Sequence, residues 1–317
     1  MNIRKIQIVH PGQQVDNLDL FKNEIPDIEK FVVSTGIRYR YVAPEHHKIE
    51  DYFVQGIRLA VENVQEIDVL ITVTQTPSKL VPSISNYLNK QLRFREDILT
   101  YDLISGCSGY TEALVLADYF FKTRAAEKIL ICNGDFSNHI VQQKNYTIRP
   151  LFSDVAAVTL LERNDEAVFL SNTKSFPDGY GAINSEEGWM NMNGLEVFQF
   201  STQYVADSVR QLLEKGKKNI SETDGFYFHQ ANLIINKTLA RQLQLSEEKV
   251  PLSIHEFGNS SSASIPLTLA LNNKKAAGKQ HLLLSGFGVG FKICNVLAET
   301  ATFESNISAN VMIRKTF

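Results

Sequence analysis

Short apolar runs alternating with segments of helical period predict an α/β fold. The same alternation runs twice along the chain, which predicts two packed halves of similar design. The seam falls near residues 163–185, where polar, Gly and Pro residues gather (Arg163-Asn-Asp-Glu, then Pro177-Asp-Gly-Tyr-Gly), and we divide the halves as 1–165 and 166–317. In the first half, Met1–Val9 reads as the opening strand, Ile67–Val73, Lys128–Cys132 and Ala156–Leu161 read as buried strands, and Gly109–Phe121 reads as a mostly apolar helix. In the second, Gly225–Phe228, His281–Ser285 and Lys292–Leu297 read as strands, and Phe198–Lys215 and Ile234–Leu243 as helices. Strands that alternate with helices imply parallel sheets covered on both faces.

The bulk numbers agree with a globular chain and exclude several classes. There are 317 residues, 44% hydrophobic and 21% charged, enough for a substantial core. A net charge of −3 supplies no global basic field for nucleic acid. No uninterrupted apolar stretch approaches the roughly 20 residues that span a bilayer, and the N-terminus lacks the apolar core of a signal peptide. Cys107, Cys132 and Cys294 are odd in number and widely spaced, without CxxC pairs. That excludes a disulfide scaffold or zinc ribbon and fits a reducing cytoplasm.

Three segments carry chemistry. Ser105-Gly-Cys107-Ser-Gly109 places a cysteine between two glycines as a strand-like run gives way to a helix. The glycines permit a sharp turn. The helix N-terminus is expected to lower the thiol pKa, and its free amides to hold an oxyanion. A buried structural cysteine is the competing reading for Cys107, and it is the preferred one for Cys132 and Cys294, which lie inside apolar runs. Phe226-Tyr-Phe-His229 ends a strand at its carboxyl end, where α/β sheets collect ligands, although a lone histidine there is commonly structural. Phe257-Gly-Asn259-Ser-Ser-Ser is a small-residue loop that lets an amide face a cavity, or serves as a plain helix cap. His10, His46, His47, His139, His255 and His281 show no metal-ligand spacing. Ser285-Gly-Phe-Gly-Val-Gly-Phe291 is GxGxG followed by a strand, not the GxGxxG-helix of a dinucleotide site; such a turn suits an oxyanion hole.

In this order the segments resemble the β-ketoacyl-acyl-carrier-protein synthase III branch of the thiolase superfamily, over nearly the whole chain. The resemblance rests on Ser34-Thr-Gly-Ile-Arg-Tyr-Arg40, the cysteine elbow, Asn133-Gly-Asp135, Phe152-Ser-Asp154, Met192–Phe198, His229-Gln-Ala-Asn232, Gly258-Asn-Ser-Ser and Gly286–Gly290. Asn259 selects the synthase III and plant-type polyketide synthase side over relatives with His or Cys as third residue, and the chain length favours synthase III. The resemblance implies a duplicated five-layer α-β-α-β-α thiolase-like fold and a homodimer. It also implies an acyltransferase with no metal or resident cofactor, using acyl-CoA or acyl-carrier-protein (phosphopantetheine) thioesters as substrates and partners. Cys107 accepts the acyl group, and His229 and Asn259 bind a malonyl thioester carbonyl during decarboxylation. The backbone N–H groups of Cys107 and Val289 hold the oxyanion, with His229 also in place to help deprotonate Cys107.

Departures from the family bear on the substrate. The usual adenine clamp is replaced by Val32 and Tyr146, with Ser34 where another arginine is common, so an unusual or carrier-bound donor is expected. Gln199 and Ile234 stand where basic carrier-docking residues are common, leaving Arg241 and Lys237. Val81 occupies the segment that gates the acyl pocket across the dimer. Tyr146, Val81, Asn232, Phe198 and Arg241 are the expected substrate contacts. The leading expectation is a decarboxylating Claisen condensation serving fatty-acid or polyketide synthesis. The alternatives are non-extending acyl transfer from Cys107 to a hydroxyl, amine or other acceptor in a specialised pathway, and a non-catalytic dimer partner.

Overall fold

The computed structural model describes residues 1–273 and 278–310. Two sheets form the frame. The first is six-stranded, in the order Glu304–Ala309, Asn2–His10, Val155–Glu162, Lys128–Asp135, Val69–Val73 and Leu99–Leu103. The second is four-stranded, in the order Gly225–Phe228, Gln280–Gly288, Lys292–Thr300 and Phe169–Ser175.

Neither sheet is wholly parallel, which corrects the sequence expectation. Val155–Glu162 runs antiparallel to both Asn2–His10 and Lys128–Asp135. Lys292–Thr300 likewise runs antiparallel to both of its neighbours. A short turn joins Gln280–Gly288 directly to Lys292–Thr300, and a hairpin of that kind leaves no room for a helical crossover. The last strand, Glu304–Ala309, returns to the first sheet and pairs in parallel with Asn2–His10.

Helices fill the layers around and between the sheets. Ile49–Ala60 and Ile84–Leu92 cover the outer face of the first sheet, where Tyr52, Phe53, Ile57 and Leu88 are fully buried. Gly109–Lys122 and Ser264–Leu271 lie between the sheets and touch strands of both. Gly194–Lys215 and Leu233–Gln242 cover the outer face of the second sheet. The result is the five-layer α-β-α-β-α arrangement.

Burial explains the sequence character of the layers. The outer helix Gly194–Lys215 is amphipathic, with Val205, Val209 and Leu212 inward and charged residues outward. The middle helix Ser264–Leu271 has no polar side to offer, because every residue from Ser264 to Ala270 is buried between the two sheets. Its two hydroxyl side chains are satisfied internally: Thr268 Oγ1 donates to the Ser264 carbonyl at 2.7 Å, and Ser264 Oγ meets a histidine described below. Among the described residues no helix is long and apolar enough to cross a membrane.

Most element boundaries lie within a few residues of expectation, with one informative exception. The strand expected over His281–Ser285 continues to Gly288. Gly286, Phe287 and Gly288 pair with Cys294, Ile293 and Lys292, so the glycines belong to the ladder and the turn is only Val289–Phe291. The helix expected from Phe198 starts at Gly194, capped by Asn193 Oδ1 accepting from the Glu196 N–H at 3.3 Å.

The middle layer offers a stability test. Leu267 is fully buried, and Leu267→Ala is expected to destabilise the protein by about 2–5 kcal/mol through lost burial and an unfilled cavity. Val33, 77% exposed, is the control, with Val33→Ala expected within about 0.5 kcal/mol of wild type in urea denaturation.

Candidate active site

One cavity of about 130 Å³ brings together residues from both halves of the chain: Cys107, His229, Asn259 and Val289, with Asn232 and Phe287. Each arrives by a different local device. Cys107 sits in the turn between Leu99–Leu103 and the helix Gly109–Lys122, closed by the Gly109 N–H donating to the Gly106 carbonyl at 2.8 Å. His229 follows the last residue of Gly225–Phe228 and is anchored by its N–H to the Ser285 carbonyl at 2.9 Å. Asn259 is held against the first half by reciprocal backbone bonds: its N–H donates to Leu151 O at 3.0 Å, and its carbonyl accepts from the Ser153 N–H at 2.9 Å.

Hydrogen bonds orient the polar groups. The Asn259 Oδ1 accepts from the Ser261 N–H at 2.9 Å, which leaves the amide Nδ2 as the donor available to a ligand. Its own contact, to Ala231 O, is long at 3.5 Å. His229 Nδ1 lies 2.8 Å from Ser264 Oγ, and the ring stands edge-on to Phe287 with centroids 5.6 Å apart. The N–H groups of Val289 and of Cys107 itself both bond to the cysteine sulfur and favour its thiolate.

Glycines make that convergence possible. A Cβ at Gly286 would lie 2.7 Å from Ser108 Cα and 3.1 Å from the Cys107 carbonyl oxygen. A Cβ at Gly288, whose φ is +147°, would lie 3.0 Å from Cys107 Sγ. Only a stretch of strand without side chains at the contact can run this close to the Cys107 sulfur.

The electrostatics correct one expectation. The pull of the helix N-terminus and the two amides is present, but burial outweighs it. Desolvation, with Asp135 adding to it, pushes the Cys107 thiol up to about 11. Burial also holds His229 down to about 3, against a smaller opposing effect of Ser261. Burial thus favours the neutral form of both the thiol and the imidazole over an ion pair. Asp135, itself buried and raised by burial, accepts from the Gln75 N–H at 2.6 Å and Thr74 Oγ1 at 3.0 Å, and so fixes the loop that leads past Cys107.

The remaining expected contacts are dispersed. Asn232 lines the cavity and caps the helix Leu233–Gln242, its Oδ1 accepting from the Ile235 N–H at 2.8 Å. Phe198 does not line the cavity and packs with the outer core of the second sheet; Val197, one position earlier on the helix, faces the cavity instead. Tyr146 is 38% exposed and stands edge-on to Phe21, while its neighbour Thr147 lines the cavity. Val81 is 84% exposed and outside the cavity of its own chain. Arg241 is exposed on the helix Leu233–Gln242, on the same face as Ile234 and Lys237.

Sequence reasoning missed Gln75, Thr147, Ser261 and the Ile183–Met192 hairpin wall. Gln75 carried one weak signal, its place just past the carboxyl end of a buried strand. Among the described residues no group of three or more His, Cys, Asp or Glu is placed to hold a metal ion.

Two family models match this frame. The model for 3-oxoacyl-[acyl-carrier-protein] synthase III matches residues 101–179, and the model for the C-terminal part of the same enzyme matches 213–300, together more than half the chain. The chain belongs to the 3-oxoacyl-[acyl-carrier-protein] synthase III family. Among its relatives, the β-ketoacyl-[acyl-carrier-protein] synthase III of Ehrlichia ruminantium (strain Welgevonden) is 29% identical over 297 residues, covering 88% of this chain and 93% of that protein. The crystal structure of a 3-oxoacyl-(acyl-carrier protein) synthase from Burkholderia xenovorans LB400 superposes with a TM-score of 0.90 at 26% identity, covering 97% of both chains. That of the synthase III from Aquifex aeolicus VF5 gives 0.87 at 27% identity, covering 94% of this chain and 99% of that one. As a member of this synthase III family, the protein is an acyltransferase with the thiolase fold.

The raised thiol makes a direct test. Alkylation of Cys107 by iodoacetamide, followed by peptide mass, is expected to quicken about tenfold per pH unit through neutrality and to keep rising beyond about pH 9, because thiolate accumulates only toward the raised pKa. A plateau near pH 7 would instead mark a thiolate already formed in the resting site.

Proposed function

We propose that this synthase III performs a decarboxylating Claisen condensation, with Cys107 as acyl carrier and His229 and Asn259 as the decarboxylation pair. The observation that carries the reading is the convergence, in one buried cavity, of a thiol faced by two backbone amides and two neutral side chains able to donate hydrogen bonds.

In the first half-reaction the Cys107 sulfur attacks the carbonyl of an acyl thioester. The oxyanion rests on the N–H groups of Cys107 and Val289; the donor's C–S bond then breaks, and its thiol leaves with the proton. In the second, the carbonyl of a malonyl thioester accepts hydrogen bonds from His229 Nε2 and Asn259 Nδ2. The bond to the free carboxylate breaks and CO2 leaves, and the electron pair becomes an enolate held by those donors. The enolate carbon attacks the acyl-enzyme, a carbon–carbon bond forms, and the bond to the Cys107 sulfur breaks; its electron pair stays on sulfur, which takes a proton from solvent to restore the thiol.

The cavity's character supports this choice over acyl transfer to a hydroxyl or amine. Such acceptors need a base to take their proton, and burial shifts His229 away from accepting one. Decarboxylation asks only for donors around the enolate oxygen, and a cavity walled by Leu151, Phe152, Met190, Met192 and Ile235 offers a malonyl carboxylate no charged partner that would stabilise it before it leaves.

The reading includes acyl-CoA or acyl-carrier thioesters as donors and a homodimer in the cytoplasm. Leu99–Leu103 is the last strand of its sheet and exposes Leu99 and Tyr101, and the neighbouring Leu80, Val81 and Ile104 are 75% exposed or more. An apolar sheet edge of this kind is suited to a second copy. Val81 would then contribute to the partner's acyl pocket rather than its own. Three free, buried cysteines agree with a reducing compartment.

Intact mass after incubation with acyl-CoA and acyl-carrier donors is expected to show one added acyl group, absent in Cys107→Ala. Malonyl-thioester decarboxylation is expected to fall by about 100-fold or more in His229→Ala and in Asn259→Ala, the cost of removing an enolate-stabilising donor. An acyl-enzyme without decarboxylation would favour non-extending transfer. No adduct with any donor would favour a silent dimer partner.

A further inference from the structure

Glu112 stands one turn into the helix that follows Cys107, and its carboxylate gathers three donors. Ser108 Oγ and Ser105 Oγ donate to Oε1 at 2.5 and 3.0 Å, and Lys292 Nζ donates to Oε2 at 2.7 Å. Ser105 and Ser108 flank the nucleophile in sequence. Lys292 is the first residue after the Val289–Phe291 turn. One side chain therefore joins the two segments whose amides face the Cys107 sulfur.

The turn that presents Val289 is supported mainly on the side away from Cys107, where the Phe291 ring stacks on Phe200 with centroids 4.2 Å apart. Within it Gly290 and Phe291 take φ values of +68° and +46°, so its backbone continues neither strand. Phe291 O accepts from the Phe176 N–H at 3.1 Å, which ties the far end of the turn to its own half of the chain. On the side of Cys107, the Val289 N–H bonds to the sulfur, its side chain packs against Gly106, and the approach of Gly286 and Gly288 sets how near the strand can come; none of these is a charged tether between the two segments. The Glu112–Lys292 pair supplies one. It is partly sheltered, with side chains 20% and 38% exposed. Burial alone would raise the Glu112 carboxyl, yet Lys292 and the two serines outweigh it and hold the group below its ordinary value.

We propose that Glu112 and Lys292 form a positioning pair that holds the Val289 amide against Cys107 during acyl transfer. The inference rests on the acyl-transfer reading above and adds residues that no part of that reaction otherwise uses. Neither side chain reaches the reacting atoms; both act through the backbone they tether. Loss of the tether lets the amide drift, and a displacement of about 1 Å at such a site costs up to about 100-fold in rate.

The test is single-turnover acylation of Cys107, read by intact mass, with acetyl-, butyryl- and hexanoyl-CoA tried on wild type and the fastest retained. Lys292→Met and Glu112→Gln are each expected to slow acylation by about 10–100-fold while the half-saturating donor concentration stays within about twofold. Lys292→Arg is expected to recover most of the rate, since it restores a cation at the same carboxylate. The double variant Glu112→Gln/Lys292→Met is expected to be no slower than either single variant, because the two side chains act as one unit. A pair that served only fold stability would lower the melting temperature and leave the rate of the folded protein unchanged. Wild-type rates in Lys292→Met, or losses that multiply in the double variant, would overturn the inference alone. A wild type that takes up no acyl group from these or from acyl-carrier donors would overturn the acyl-transfer reading, and this inference with it.

Discussion

Everything in the site depends on how closely a strand edge from the second half of the chain approaches the cysteine elbow of the first. Gly286 lies against Ser108 and Gly288 against the Cys107 sulfur at distances that no Cβ could share. This approach lets two amides from separate halves of the chain bond to one sulfur. It also sets the packing of the middle layer, since the helix Gly109–Lys122 must lie flat between the sheets for the elbow to meet that strand. A larger residue at either glycine would push the sheets apart or displace Cys107.

The same packing determines the electrostatics. Placing a thiol and an imidazole between two apolar layers removes water from both, and the neutral form of each wins. Cys107 is pushed up and His229 is pushed down, away from the ion pair that a more open cysteine–histidine site would form. What remains is a set of oriented donors: the amides of Cys107 and Val289, the Asn259 Nδ2 and the His229 ring. Pre-aimed donors in a dry cavity stabilise a developing enolate or oxyanion more than mobile charges in water do. The burial that raises the Cys107 thiol also keeps water from the donors around it.

Much of this was legible in the sequence because it is written in local patterns. The apolar runs Lys128–Cys132 and Gly225–Phe228 read as buried strands and Gly109–Phe121 as a mostly apolar helix, and the structure has them so. Cys107, His229 and Asn259 were legible as a set through their order and their small-residue surroundings. Strand direction was not legible, since an antiparallel and a parallel buried strand bury the same residues. The Gly286–Gly288 stretch looked like a turn for a related reason: its membership of a ladder depends on the pairing partner Lys292–Cys294, not on its own composition.

The sequence by itself determined the alternation of strands and helices and the identity of the chemical groups, because periodicity and short motifs are properties of neighbouring residues; the five layers were expected only through the family resemblance. Only the tertiary structure decided their state and company. The thiol's proton is set by burial and by Asp135, contributed by a strand across the sheet. The choice of Val197 over Phe198 as a cavity wall is set by the rotation of a helix against its sheet. The bond from Lys292 to Glu112 joins residues that no sequence window contains together. Each of these depends on which distant surfaces meet, and that is fixed only when the two sheets close on the helices between them.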